Sequence, residues 1–426
     1  MSLMELVNSV ESSVPSSYSG PSVVVGGVMY AWDGTSYNPQ MRQPAFVAMS
    51  GIDGIIGGTG ASYGSAYTFT AQKKAKAKFI GIRVHFRHYG AAAQDVTLVK
   101  AAVAPASGNN GTALTWSAVT FANQNATQVP AALGSSPNLI QSPIASDAVG
   151  IGGNAGEYVQ VRAYLGAGTV RIISTASLPQ LNSDAGTEDL FLASAGDHVT
   201  TIDAQVPAVG TPSYVPFDIE FIYAPEVKAY TVMDVGDSRS RGELSTSNHL
   251  GPSVVAAKLA ADGGRFVLNA LNVSWSSQSR NASHVNLIRY LRSGVRPSFA
   301  CVWFESPNDS IPQTAFDRSY GNAILAIQEC QAAGVTPILC TPTPRNLPGG
   351  AALVSWQLQV SRARDFASRT GLPLCDYTAV LEDPAAPGQW IAAYKAAGDG
   401  TNLHASQAGY LAQGAELYRV ISGLVG

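Results

Sequence analysis

The chain has 426 residues, 46% of them hydrophobic and 13% charged, with a formal net charge of −3. This composition belongs to a folded chain rather than a disordered one, and the length exceeds one ordinary core, so two domains are expected. The weak acidic balance gives no reason to expect nucleic acid as a partner, and no apolar run has the length of a membrane span.

The N-terminus, MSLMELVNSVESSVPSSYSG, carries acidic residues where a secretory signal would carry basic ones, and it lacks a continuous apolar core. Location stays open between cytoplasmic, secreted after loss of a leader, and virion-associated. Cys301, Cys330, Cys340 and Cys375 all lie in apolar segments without metal-like spacing, which predicts buried free thiols and no metal site.

Residues 1–40 are rich in Ser, Gly and Tyr and predict an N-terminal arm or small hairpin, with an aromatic strand meeting the Asp33-Gly34 turn. The stretch VMYAWDGTSYNP loosely resembles units of bacteriophage tail and surface-fibre proteins. A fibre element there would imply a homo-oligomer, a homotrimer in particular.

Residues 41–224 read as short alternating runs separated by Gly, Asn, Ser and Pro, the pattern of an all-β sandwich or jelly roll. In Phe79 to Tyr89, alternation puts Ile80, Ile82, Val84 and Phe86 on a core face and Arg83, His85, Arg87 and Tyr89 on the other. That second face could bind sugar, although an ordinary exposed sheet face is the plainer expectation. Lys73, Lys74, Lys76 and Lys78 could meet an acidic polymer, or simply protect a strand edge from pairing. Glu157 to Thr175 predicts a hairpin turning at Gly166-Ala167-Gly168, and Phe217 to Tyr223 predicts the last strand before a boundary at 224–228.

From residue 229 to 426 strands alternate with helices, the pattern of a parallel sheet. Strands are expected at Tyr230 to Val235, Arg265 to Val273, Pro297 to Phe304, Thr336 to Thr341 and Leu372 to Tyr377. Helices are expected at Pro252 to Ala261, Ser283 to Arg292, Gln313 to Ala333, Ala351 to Thr370 and Gln407 to Val425. Right-handed crossovers then give a three-layer α/β/α sheet of five parallel strands. Such sheets place ligands at the carboxyl ends of their strands, where Ser238 ends the first apolar run.

Three polar blocks stand at those ends: Gly236-Asp237-Ser238, Pro307-Asn308-Asp309, and Asp399-Gly400-Thr401-Asn402-Leu403-His404 before the last helix. A serine hydroxyl is a poor nucleophile at neutral pH and needs a base within hydrogen-bond reach, a role suited to His404. In their order these blocks resemble the SGNH, or GDSL, hydrolases over residues 229–426. The resemblance implies a flavodoxin-like α/β fold and an acyl enzyme formed on Ser238 with His404 as base, without cofactor. It also implies an oxyanion hole of the Ser238 N–H, the Ser274 N–H and the Asn308 side chain.

The chain departs from the family pattern in each later block. Val267 to Trp275 lacks the usual glycine, so Ser274 is placed by the flanking Asn269 and Ser276. Ser306 stands where glycine is usual, and Thr401 occupies the position of the family's Asp, three residues before His404. Asp399, five before, can orient the imidazole if the loop bulges by two residues. Otherwise a Ser-His dyad with a backbone carbonyl would hold the tautomer.

Among other residues, His249 and His284 read as surface or capping residues at helix starts. Trp275, Trp303, Trp356 and Trp390 could line a groove, with core packing the stronger expectation for Trp303 and Trp356. Arg345 either contacts substrate or forms a loop salt bridge. The expected reaction is serine-dependent hydrolysis of small acyl esters, O-acetyl groups on a carbohydrate above all, with an O-acylated small molecule or polysaccharide as the partner. Longer-chain lipase or thioesterase activity, and a non-catalytic binding protein retaining the fold, are the alternatives.

Overall fold

The computed structural model describes residues 67–86, 96–106, 115–129, 143–166, 190–200, 217–245, 251–274, 279–309, 313–347 and 349–426, together with short strands between 22 and 63 and at 170–172. Arg87, Tyr89, His249, Trp275 and the Asp33-Gly34 turn lie outside the described residues.

Ser22–Val25 and Val28–Trp32 pair as an antiparallel hairpin, and Tyr37–Pro39 adds a third strand to it. Two larger antiparallel sheets follow. One runs in the order Thr127–Val129, Val96–Ala106, Tyr158–Leu165, Tyr67–Lys74, Leu190–Ala195, and the other Ile144–Ala145, Phe79–Phe86, Phe217–Tyr223, Val47–Ser50. Phe69, Val103, Val159 and Val161 of the first share one buried cluster with Ile82, Val84, Ile219 and Phe221 of the second.

Several expectations for this half are corrected. The pairing of Phe217–Tyr223 with Phe79–Phe86 skips Ile80, and such a bulge breaks the alternation: Phe79 turns inward at 3% exposure while Ile80 is 50% exposed. His85 is not on an exposed face either. It is buried against Glu220, which also accepts from Arg83 at 3.0 Å. The hairpin expected over 157–175 does not form, because Tyr158–Leu165 pairs with Tyr67–Lys74 and Val96–Ala106, while Val170–Ile172 pairs with Ala61–Tyr63.

The basic cluster is held by its own chain: Lys78 meets Glu226 at 2.8 Å and Lys76 donates to the Leu268 carbonyl at 3.2 Å. The Lys76 bond, with that of Asn269 Nδ2 to Tyr223 Oη at 3.4 Å, ties the antiparallel strands to the parallel sheet.

That sheet consists of β1 (Ala229–Asp234), β2 (Val267–Asn272), β3 (Phe299–Trp303), β4 (Thr336–Cys340) and β5 (Leu374–Cys375), all parallel, in the order β2-β1-β3-β4-β5. This is the flavodoxin-like order, whose switch point falls between β1 and β3. Alternate side chains face opposite layers. Met233, Leu271, Ala300, Val302 and Leu339 share a buried cluster with α3 (Arg280–Arg292), α4 (Gln313–Ala332) and α5 (Gly350–Thr370). Val232, Leu268, Cys301, Ile338 and Cys375 share another with α2 (Pro252–Gly263) and α7 (Gln407–Val425). Short helices α1 (Ser238–Arg241) and α6 (Tyr377–Leu381) complete the layers. The four cysteines are buried free thiols.

Among the described residues no helix is long and apolar enough to cross a membrane.

Candidate active site

The nucleophile turn begins where β1 stops. Gly236 must be glycine because a Cβ there would come within 1.8 Å of Ser240 Oγ and 3.3 Å of Trp303 Nε1. Asp237 caps α1, its carboxylate accepting the Arg239 N–H at 2.9 Å, and Ser238 opens the helix. The turn is braced from β2: Asn272 Nδ2 donates to the Ser240 carbonyl at 2.8 Å, and the Gly236 N–H donates to Ser274 Oγ at 2.9 Å.

His404 Nε2 lies 2.9 Å from Ser238 Oγ, and its Nδ1 lies 3.2 Å from Asp399 Oδ2. Ser238 and His404 are 7% and 9% exposed, so the pair is nearly closed off from solvent.

The loop before α7 explains how Asp399 reaches the ring from five positions away. Asn402 takes a left-handed φ of 58°, and its N–H donates to the Asp399 carbonyl at 3.2 Å, which folds the two extra residues back on themselves. Asp399 Oδ2 then accepts the N–H groups of Leu403 and His404, each at 2.8 Å. Its Oδ1 accepts the N–H of Thr401 at 3.0 Å and the Thr401 hydroxyl. Burial alone would raise this carboxyl, but the Thr401 and His404 donors outweigh it and hold it at about 2. Thr401, standing at the expected acid's position, thus serves the acid rather than replacing it.

Asn308 is exposed in the turn after β3, with Nδ2 3.3 Å from Ser306 Oγ, and Ser306 Oγ donates to Asp237 Oδ2 at 2.7 Å. The hydroxyl that departs from the glycine pattern therefore links the Asn308 turn to the residue before Ser238. Ser274 is brought near but turned away: it is fully buried, and its N–H donates to Asn272 Oδ1 at 3.0 Å. Its expected place among the oxyanion donors is corrected to a brace, because that donor is already committed and its hydroxyl holds Gly236 and the Asp234 carbonyl.

The remaining candidates are structural. Trp303, Trp356 and Trp390 are all buried, and their Nε1 groups donate to Asp234 Oδ1, the Thr343 carbonyl and the Asn402 carbonyl at 2.9, 2.9 and 3.0 Å. The expected groove lining by Trp390 is thereby replaced by a brace on the loop that carries His404. Arg345 pairs with Glu305. His284 is not a surface or capping residue: it is buried inside α3, where Nε2 donates to the Trp303 carbonyl at 3.1 Å, and burial followed by the Arg280 charge keeps the ring neutral. Among the described residues no group of three or more His, Cys, Asp or Glu side chains is arranged to hold a metal ion.

Sequence reasoning missed the buried charges beneath the site. Arg239 reaches Asp237 at 2.8 Å and Glu305 at 3.3 Å, and all three are at most 4% exposed. The one signal available was Arg239 and Arg241 flanking Ser240 directly after an apolar strand.

No protein-family model and no curated protein sequence matches the chain. Solved structures similar to it include lipolytic proteins of the G-D-S-L family, a lipase/acylhydrolase and an acetylxylan esterase. A lipase/acylhydrolase from Enterococcus faecalis is 18% identical, covering 46% of this chain and 96% of its own, with a TM-score of 0.37. A G-D-S-L family member from Veillonella parvula is 15% identical over 45% of this chain and 98% of its own, with a TM-score of 0.37. A catalytic mutant of an acetylxylan esterase from Geobacillus stearothermophilus is 13% identical over 45% and 94%, with a TM-score of 0.38. At such values the chemistry has to be read from the side chains themselves.

Proposed function

We propose that the chain is a serine-dependent carboxylic ester hydrolase that removes small acyl groups, O-acetyl groups on a carbohydrate above all. The observation that carries this reading is the alignment of Ser238 Oγ, His404 Nε2, His404 Nδ1 and Asp399 Oδ2 at 2.9 and 3.2 Å. Ser238 Oγ attacks the ester carbonyl as its proton passes to His404 Nε2, and Asp399, held ionised, stabilises the imidazolium. The Ser238 N–H and the Asn308 side chain stabilise the oxyanion. His404 returns the proton to the leaving alkoxide, and a water activated by the same ring releases the acyl group.

The small acyl group is supported by the near-closure of the site around Ser238. The carbohydrate is supported by analogy at the level of fold, an antiparallel β half at 41–224 acting as a sandwich-like accessory domain that holds a polymer beside the hydrolytic half.

Turnover of nitrophenyl acetate and of an acetylated polysaccharide by wild type, abolished in Ser238→Ala, is the expected result. No turnover by wild type, or equal turnover by both proteins, would refute the reading. Across nitrophenyl esters of increasing chain length the rate should fall. A rise would replace the acetyl preference by a lipase or thioesterase one.

A further inference from the structure

Ser306 has a single hydroxyl proton, and its neighbours dictate where that proton goes. Its Oγ lies 2.7 Å from Asp237 Oδ2 and 3.3 Å from both the backbone N and the Nδ2 of Asn308. An ionised carboxylate only accepts, so the Ser306 O–H points at Asp237. The lone pairs of Oγ are then left to receive the Asn308 donors.

The ionisation of Asp237 is itself secured from below. Arg239 presents Nη2 at 2.8 Å from Oδ2 and Nε at 3.2 Å from Oδ1. The guanidinium is fixed in turn by Thr343 Oγ1 at 2.9 Å, the Glu305 carbonyl at 3.0 Å and Glu305 Oε2 at 3.3 Å, and the second oxygen of Glu305 pairs with Arg345. Burial would push the Asp237 carboxyl up, but the Arg239 charge and the Arg239 and Ser306 donors hold it at about 2.

We infer that Arg239, Asp237 and Ser306 form a positioning relay that sets the side-chain amide of Asn308 with its nitrogen, not its oxygen, on Ser306 and locks the 306–309 turn to the nucleophile. With one Nδ2 hydrogen committed to Ser306, the second is fixed in the amide plane. The relay rests on the ester hydrolase reading, in which Asn308 is an oxyanion donor. None of its three members needs to touch substrate through its side chain. Their effect is carried by the orientation of Asn308.

The test is a double-mutant cycle on nitrophenyl acetate with Ser306→Ala, Asn308→Ala and the pair. Ser306→Ala should lower kcat by about 10–100-fold, approaching the loss of a donor itself, with KM nearly unchanged. The double variant should be barely slower than Asn308→Ala alone. Multiplicative losses, or a Ser306→Ala effect confined to KM, would overturn the relay.

In Arg239→Met, Asp237 keeps only the charges of Arg280 and Arg345 against those of Asp234 and Asp309, so the kcat profile should gain an acid limb as it protonates, and that limb should be absent once Asn308 is also alanine. An unchanged profile would count against the relay, and should Arg239→Met fail to fold, the Ser306–Asn308 cycle decides alone. Turnover by wild type with multiplicative losses removes only the relay. Absence of turnover by wild type removes the hydrolase reading and the relay with it.

Discussion

Trp303 Nε1 donates to Asp234 Oδ1 at 2.9 Å, and this acid, wholly buried at the end of β1, lies four residues before Ser238. Burial lifts its carboxyl from 3.8 to about 7, against the Trp303 bond and with help from the Asp237 charge. Because the folded-state value is raised, the stability this group contributes is complete below 3.8 and is lost as pH rises through 7. Asp234→Asn keeps an acceptor for Trp303 and cannot ionise. Its melting temperature relative to wild type should therefore climb between pH 4 and 7 and level off above, and a difference independent of pH would refute the assignment.

The Asp399 loop makes a second prediction. Asp399→Asn leaves the charge behind His404 absent and turns an amide toward the N–H groups of Leu403 and His404, which both lie 2.8 Å from Oδ2. A fall in kcat on the order of a thousandfold is expected on nitrophenyl acetate, in keeping with the loss of a group that holds the tautomer and the imidazolium. An unchanged rate would mean that a Ser-His dyad suffices. In wild type, a carboxyl held at about 2 stays ionised down to that pH, so any acid limb of activity above pH 4 must belong to another group.

What was legible in the sequence follows from which interactions are local. The abrupt change from an apolar strand to Gly236-Asp237-Ser238 marks a strand end wherever the rest of the chain goes, and the 3.6 and 2 periodicities gave the helices and strands of 229–426 to within a few residues. Alternation alone puts Ile80 in the core, whereas the bulge that exposes it is set by the partner strand, here Phe217–Tyr223, far away in sequence. The expected hairpin failed for the same reason, since nearness along the chain favoured a pairing that two distant strands outcompeted. Glu305 and Arg345 look like loop charges until the parallel sheet brings them under Arg239. The reach of Asp399 depended on one left-handed residue, Asn402, which no periodic pattern announces.

Trp390 offers a third prediction about that loop. The residue is 4% exposed, its indole donates to the Asn402 carbonyl at 3.0 Å, and its backbone N–H donates to Asn346 Oδ1 at 3.0 Å. Trp390→Phe keeps most of the volume and removes only the indole donor, so a stability loss of about 1 kcal/mol is expected. Because the freed carbonyl belongs to the residue two before His404, kcat should fall several-fold with KM unchanged. A loss of stability with full kcat would show that the loop holds His404 without this bond.

The tightest contact beneath the nucleophile supplies the last prediction. A methyl group on Gly236 would meet Ser240 Oγ at 1.8 Å and Ser240 Cβ at 2.6 Å, distances no packed side chain tolerates. Gly236→Ala should therefore displace α1 and cost about 1–3 kcal/mol, read as a lower denaturation midpoint, together with loss of ester turnover. Ser240→Gly removes both clashing atoms while Asn272 still holds the residue 240 carbonyl, because that 2.8 Å bond uses backbone. The double variant Gly236→Ala, Ser240→Gly should thus recover most of the midpoint, leaving the milder 3.3 Å approach to Trp303 Nε1. If the second substitution restores nothing, the glycine is required for the close approach of Trp303 rather than for the space that Ser240 occupies.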